Sequence, residues 1–309
     1  MDHYTRSARN IFSGLALNRR SPHPEDVPTR EADREHAAYV VVRGDEVLFD
    51  AVRDEPLLLA GRMLRDCGQA RHDALPLGDD GRSRYFAISV ERLPASTAQC
   101  LGTLGTFLHL RQQAAILPAQ TAALLGYARA VAGWHNQTRH CSFCGHPTRP
   151  KPGSLAQACT NPDCGREHFP RINPAMIVLV HHADGDMCLL GRQHGWKPRV
   201  YSALSGYVEP GESAEDAVLR EVMEETGIAV EDIRYHSSQP WPFSDSLMLG
   251  FHARAATTDI RLDDELEDAR WFRRRDIPAL LDSGELALPA AETISRNLFD
   301  AWYAGETGR

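Results

Sequence analysis

Residues 206–228 read Gly206-Tyr-Val-Glu-Pro-Gly211-Glu212-Ser-Ala-Glu-Asp-Ala-Val218-Leu219-Arg220-Glu221-Val222-Met223-Glu224-Glu225-Thr-Gly227-Ile228. Two glycines bracket a loop whose course Pro210 fixes. Ser213, followed three residues later by Asp216, has the form of a capping box, so a helix is expected from Ala214, with Gly227 placed to end it. At about 100° per residue, Glu221, Glu224 and Glu225 fall on one arc of that helix, and Val218, Leu219, Val222 and Met223 on the next. The apolar arc is expected to pack and the acidic arc to face something else. Carboxylates at i, i+3 and i+4 repel one another by roughly a few tenths of a kcal/mol per pair. A divalent cation removes that penalty, and hard oxygen ligands at this spacing suit Mg²⁺ or Mn²⁺, which keep several waters and bridge to substrate phosphates. Taken alone, such a helix is more often a solvated acidic face.

The full spacing is more specific. Gly206, five residues, Glu212, seven residues, then Arg220-Glu221-Val222-x-Glu224-Glu225-x-Gly227-Ile228 matches every fixed position of the Nudix box, so the chain resembles the Nudix hydrolases. The resemblance implies an α/β fold, the Nudix αβα sandwich. Glu221, Glu224 and Glu225 match the family's metal-binding carboxylates, one of them doubling as general base. Arg220 and Glu212, counted with the catalytic set, match the pair that braces the loop against the helix. Gly206 and Gly211 are expected to let the backbone turn sharply near a pyrophosphate. The implied chemistry is in-line attack of an activated water on phosphorus.

Immediately upstream, Ala175 to Val180 is a continuous apolar run of the kind a buried strand shows, followed by a turn at His181–Asp186 and a second strand from Met187 to Gly191. Pro170 to Pro174 forms a joint before it. Further back, Cys141-x2-Cys144, a fourteen-residue gap and Cys159-x4-Cys164 have the spacing of a four-cysteine zinc ribbon. Each knuckle carries a glycine beside a cysteine, which suits turns that aim backbone amides at sulfur. Four soft ligands fill a tetrahedron, so the expected Zn²⁺ is structural. His140, His146 and His168 are read as bystanders, and Cys67, Cys100 and Cys188 as inert core thiols. From Arg139 to Arg171 five Lys/Arg face two Asp/Glu, a local excess of three positive charges that could touch nucleic-acid phosphates but more often sits against acidic neighbours.

Downstream of the box lies Ser238-Gln239-Pro240-Trp241-Pro242-Phe243, a stiff segment whose rings are held at fixed positions. Ribbon, box and hexapeptide in this order resemble the NADH pyrophosphatase (NudC-like) family. Two departures stand out: Ser244 where that family has Pro, and x4 rather than x2 in the second knuckle. The resemblance implies that Tyr207 stacks on the substrate's base and that Gln239, Trp241 and Phe243, with Gly206, bind substrate. It also implies that Phe169 reaches a neighbouring subunit's site in a homodimer and that Glu265 is a further ligand for Mg²⁺ or Mn²⁺. Asp263, Asp264 and Glu267 are close enough for the register of that glutamate to shift.

The first 138 residues carry no motif for chemistry. A loop is expected over Ser21–His36, a strand, turn and strand over Ala38–Phe49, another strand over Arg84–Val90 and a helix over Ala119–Trp134. No internal repeat is evident. The expected division is 1–138 as a mixed α/β accessory domain, 139–170 as the ribbon and 171–309 as the hydrolase domain. The 309 residues are 42% hydrophobic and 25% charged, which suits a globular protein and excludes wholesale disorder. A net charge of -8 argues against binding nucleic acid by overall field. No run approaches a membrane span, and the opening residues lack an apolar signal core, so a cytoplasmic protein with no membrane partner is expected.

The expected function is cleavage of the pyrophosphate of NADH or NAD⁺ into nicotinamide mononucleotide and AMP, with the same cut at NAD-capped RNA 5′ ends. The rival readings are another Nudix substrate (ADP-ribose, a diadenosine polyphosphate or coenzyme A) and a nucleotide-sensing module without turnover.

Overall fold

The computed structural model describes residues 2–19, 37–53, 55–68 and 74–306, and the loop expected over Ser21–His36 lies outside them. The chain divides into two compact units. One comprises Met1–Ser13, Asn173–Trp241 and Ser246–Arg309; the other comprises Gly14–Ile172 and Pro242–Asp245. The opening residues therefore do not join the accessory part as the sequence division at 138 had it. Helix α1 (His3–Ser7) and the turn after it pack with the C-terminal part, where Asn10 donates to Ser237 Oγ and the Ser238 carbonyl and accepts from Asn297.

In the second unit, strands β1 (Ala37–Arg43), β2 (Glu46–Phe49), β3 (Leu59–Ala60), β4 (Leu75–Asp79), β5 (Arg84–Ser89) and β6 (Thr106–His109) form a sheet in the order β4-β5-β1-β2-β6, with β3 also pairing β1. Helices α2 (Gly61–Asp66), α3 (Ala95–Gly102), α4 (Leu110–Gln113) and α5 (Ala119–Gln137) accompany it. Helix α5 follows the apolar spacing read from the sequence and runs three residues further. The ribbon follows as β7 (Thr148–Pro150), β8 (Gln157–Cys159) and β9 (Glu167–His168).

The first unit holds β10 (Asn173–His181), β11 (Met187–Gln193), β12 (Leu204–Tyr207), β13 (Val230–Trp241), β14 (Ser246–Ala255) and β15 (Leu266–Arg273), in the order β13-β14-β10-β11-β15 with β12 also pairing β10. Besides α1, its helices are α6 (Ala214–Thr226), α7 (Ile277–Asp282) and α8 (Ile294–Tyr303). The apolar run in β10 is continuous because both faces are covered: Met176, Val178 and Val180 point into the core under α6, while Ile177 and Leu179 point into the core that includes Ile294, Leu298 and Trp302 of α8. This is the αβα sandwich expected from the sequence.

The two sheets have the same plan. Each has a central strand paired in parallel with one neighbour (β1 with β5, β10 with β14) and antiparallel with the next (β2, β11), and a short strand off the path followed by a helix (β3 with α2, β12 with α6). The repeat that the sequence did not reveal is present in the topology.

Two expected core thiols, Cys67 and Cys100, are joined in a disulfide across 33 residues, which corrects their reading as isolated and inert. Cys188 is buried and free, and burial pushes its thiol up. Among the described residues no helix is long and apolar enough to cross a membrane.

Candidate active site

Helix α6 is built as its sequence dictates. The Ser213 side chain accepts from the Asp216 amide while Asp216 accepts from the Ser213 amide, and Gly227 closes the helix at φ 68°. The faces, however, are not divided as the arcs suggested. Ala217, Val218 and Val222 are buried, but so are Glu221 and Glu225, whereas Leu219 and Met223 are about half exposed. Two of the three acids lie on the packed side of the helix, and for Glu221 it is the β12 backbone that lets it in. A Cβ on Gly206 would sit 2.0 Å from the Glu221 carboxylate, so the missing side chain is the space that the acid occupies. Gly206 lies in β12 opposite Met176 and its φ is not left-handed; the turn expected of it is made at Gly211, with φ 99°.

Arg220 braces the loop. Its Nε and Nη2 donate to the two oxygens of Glu212 at 2.6 and 2.9 Å, and Nη2 also donates to the Tyr207 carbonyl. Nη1 reaches Glu221 and Glu224, each at 3.0 Å. The guanidinium holds Glu212 well below the usual carboxylate range, at about 2, and its own proton is held more tightly. Glu225 is the opposite case. It is 1% exposed, its Oε2 has no hydrogen-bond partner, and burial, with the charges of Glu265, Glu221 and Asp263, pushes its carboxyl up to about 8. Burial also raises Glu221, against the pull of Arg220.

An orphaned carboxylate oxygen in a buried corner ringed by like charge fits a cation: Glu221, Glu225 and Glu265 would hold Mg²⁺ or Mn²⁺ there, with Glu224 at the exposed edge. Of the neighbours that left the register open, Glu267 is taken up by Arg192.

The cysteines are gathered. The sulfurs of Cys141, Cys144, Cys159 and Cys164 all lie within 4.8 Å of one another, with Cys141–Cys164 at 3.8 Å and Cys144–Cys159 at 3.4 Å. Four sulfurs bound tetrahedrally to one zinc are about 3.8 Å apart. The backbone amides of Phe143 and Cys144 face Cys141, and that of His146 faces Cys144, as the knuckle turns were expected to arrange.

The expected substrate residues are spread out. Tyr207 is half exposed, with its hydroxyl 3.5 Å from Ser246 Oγ. Gln239 is 1% exposed, its amide nitrogen donates to the Ile11 carbonyl and its oxygen accepts from the Ile294 amide. Trp241 packs edge-on against Phe12 in the first unit. Phe243 belongs to the second unit, beside His109 and Arg129, and Phe169 of that unit is 64% exposed. Arg129 is the residue that sequence reading missed. Its only signal was a cation on the apolar stripe of α5, among Leu125, Ala128 and Val131.

Three family descriptions match successive stretches of the chain: "NADH pyrophosphatase-like rudimentary NUDIX domain" over residues 36–134, "NADH pyrophosphatase zinc ribbon domain" over 136–169 and "NUDIX domain" over 171–292. The chain belongs to the Nudix family, in its NADH pyrophosphatase-like group. The first of these descriptions agrees with the repeated strand order. The accessory unit is a second Nudix-type sheet whose helix α2 reads Gly61-Arg-Met-Leu-Arg-Asp66 and carries no acid triad.

Relatives of this Nudix chain include "NAD-capped RNA hydrolase NUDT12" of Homo sapiens, 36% identical over 72% of this chain and 51% of that protein. "NAD-capped RNA hydrolase NudC" of Stutzerimonas stutzeri (strain A1501) is 46% identical over 60% of this chain and 63% of its own length. "Nudix hydrolase 19, chloroplastic" of Arabidopsis thaliana is 46% identical over 53% and 39%. The chain thus spans about half the length of the first of these curated relatives.

Proposed function

We propose that this Nudix protein is a metal-dependent diphosphatase that cleaves the pyrophosphate of NADH or NAD⁺ into nicotinamide mononucleotide and AMP, and removes NAD caps from RNA 5′ ends. The observation that carries the reading is the buried, unpartnered oxygen of Glu225 beside Glu221 and Glu265, on a box helix whose loop is locked by Arg220 and Glu212. Similarity to proteins called NAD-capped RNA hydrolases selects the substrate.

Mg²⁺ or Mn²⁺, when bound, supplies charge neutralisation for the phosphoryl oxygens and a more acidic water. The chain's own groups do the rest. Glu221, Glu224, Glu225 and Glu265 would hold the ion, and Arg220 keeps the loop at Tyr207–Glu212 in place through the Tyr207 carbonyl. The exposed ring of Tyr207 offers a face to a base, and Trp241 and Phe243 supply further aromatic surface. Exposed Phe169 is offered to a second copy in a homodimer.

Incubation with NADH and Mg²⁺ should release AMP, and Glu225→Gln should lower turnover about a hundredfold or more without unfolding the protein, since the amide removes a buried like charge. AMP release by Glu225→Gln at the wild-type rate would refute the assignment. Arg149, Lys151 and Arg166 test the ribbon's part in RNA binding. Lys151 pairs with Glu167 and Arg166 lies over Phe143; a selective loss on capped RNA in the triple alanine variant is the result that would support RNA contact by the ribbon. Equal loss on free NADH would remove RNA contact from the ribbon.

A further inference from the structure

The tip of the β13–β14 hairpin is a four-residue turn closed by a backbone bond from the Asp245 amide to the Pro242 carbonyl at 3.3 Å. The ladder ends at the pair Trp241↔Ser246, and Pro242–Asp245 forms a tight turn that closes with Asp245 at φ 53°, in the left-handed region that Asp adopts more readily than most non-glycine residues. These four residues belong to the second unit, and within it side chains of α5 reach their polar groups. Arg129, 8% exposed in the middle of α5, donates through Nη1 to the Pro242 carbonyl and to Asp245 Oδ1 at 3.1 Å, and through Nη2 to the Phe243 carbonyl at 3.4 Å.

The other edge of the guanidinium is pinned as well. Nε and Nη2 contact Asp45 Oδ1 at 2.9 and 2.7 Å, and Asp45 lies in the turn between β1 and β2. Gln137, about two turns further along α5, donates to the second oxygen of Asp245. The Phe243 ring lies 5.9 Å from the Arg129 guanidinium carbon and 6.0 Å from the His109 ring. A planar fork with donors on two edges is needed to bind two carboxylates and two carbonyls at once; an ammonium supplies the charge without that geometry.

We propose that Arg129 is a positioning residue for substrate recognition: by fixing Pro242–Asp245 it sets the place of the Phe243 ring. The inference rests on the reading of Phe243 as a base-contacting residue.

The test uses the full chain with 4-fluorophenylalanine at position 243, observed by ¹⁹F NMR, and with NADH and Mg²⁺ as the assay. Arg129→Lys should broaden the ¹⁹F line or move it toward the free amino acid's shift. It should also raise KM for NADH about tenfold with a much smaller change in kcat, the pattern of lost substrate binding rather than lost chemistry. Phe243→Ala is the reference and should raise KM by at least as much. Where Arg129→Lys lowers the melting temperature by more than about 5 °C, Asp245→Asn, which removes one anchor and keeps the guanidinium, carries the same test. An unmoved ¹⁹F line in the variant overturns the proposal, as does an unchanged KM when Phe243→Ala raises it. A displaced ¹⁹F line with KM unchanged in both variants upholds the positioning by Arg129 and overturns the base contact of Phe243.

Discussion

A missing methyl decides where the central acid sits. Because Glu221's carboxylate fills the space above the Gly206 Cα, Gly206→Ala forces a buried, Arg-linked side chain to move and should cost about 1–3 kcal/mol, read from the urea midpoint. Calorimetry on the same variant should show weakened Mg²⁺ or Mn²⁺ uptake; an unchanged midpoint together with unchanged uptake would count against this account of the glycine. The sequence made the cap, the helix and its end legible, since Ser213, Asp216 and Gly227 act through neighbours a few residues away. It did not show that Glu221 and Glu225 are buried while Leu219 and Met223 are exposed, because helical spacing gives only relative angles and the packed side is chosen by β12. The burial of Gln239 was not legible for a similar reason: its partners, Ile11 and Ile294, are remote in sequence.

At the level of the element, β13 and β14 bury a histidine pair. His236 and His252 lie ring to ring at 5.1 Å, and His252 meets the Leu298 carbonyl through Nε2. Burial lowers His252 to about 4; burial, with the charge of His252 adding to it, lowers His236 to about 3. Both folded values lie below the unfolded value of about 6.5, so between them the unfolded chain binds more protons. The contribution to stability is complete above about pH 6.5 and is lost as the pH falls toward 4, with a slope of up to about 1.4 kcal/mol per pH unit for each histidine. Urea titrations from pH 7 to 4.5 should therefore show a steeper decline for the native protein than for His252→Gln, and parallel curves would contradict the assignment. No sequence signal marked this pair, because two histidines sixteen residues apart become neighbours only through strand pairing.

For the molecule as a whole, the duplicated sheet plan was hidden from sequence because a strand order survives the loss of every residue that marks the box. The ribbon was legible because its ligands must be cysteines at fixed intervals. The bond between Cys67 and Cys100 was not, since pairing depends on how α2 and α3 pack. Closing 33 residues, that bond should contribute about 2–4 kcal/mol, so dithiothreitol or the double Cys67→Ser, Cys100→Ser variant should lower the melting temperature of the accessory unit. A melting temperature indifferent to both would show that the bond adds nothing to the native state.

The chain leaves one unit after Trp241, re-enters it at Ser246, and begins with a stretch that belongs to its far end. No single cut can therefore free an intact hydrolase half. A piece spanning 171–309 would be amputated of Asn10, leaving the Ser238 carbonyl and Asn297 without that bond, and would carry a hairpin tip whose guanidinium anchor stayed behind. Activity of such a fragment, or its lack, would report on the surgery as much as on the catalytic helix.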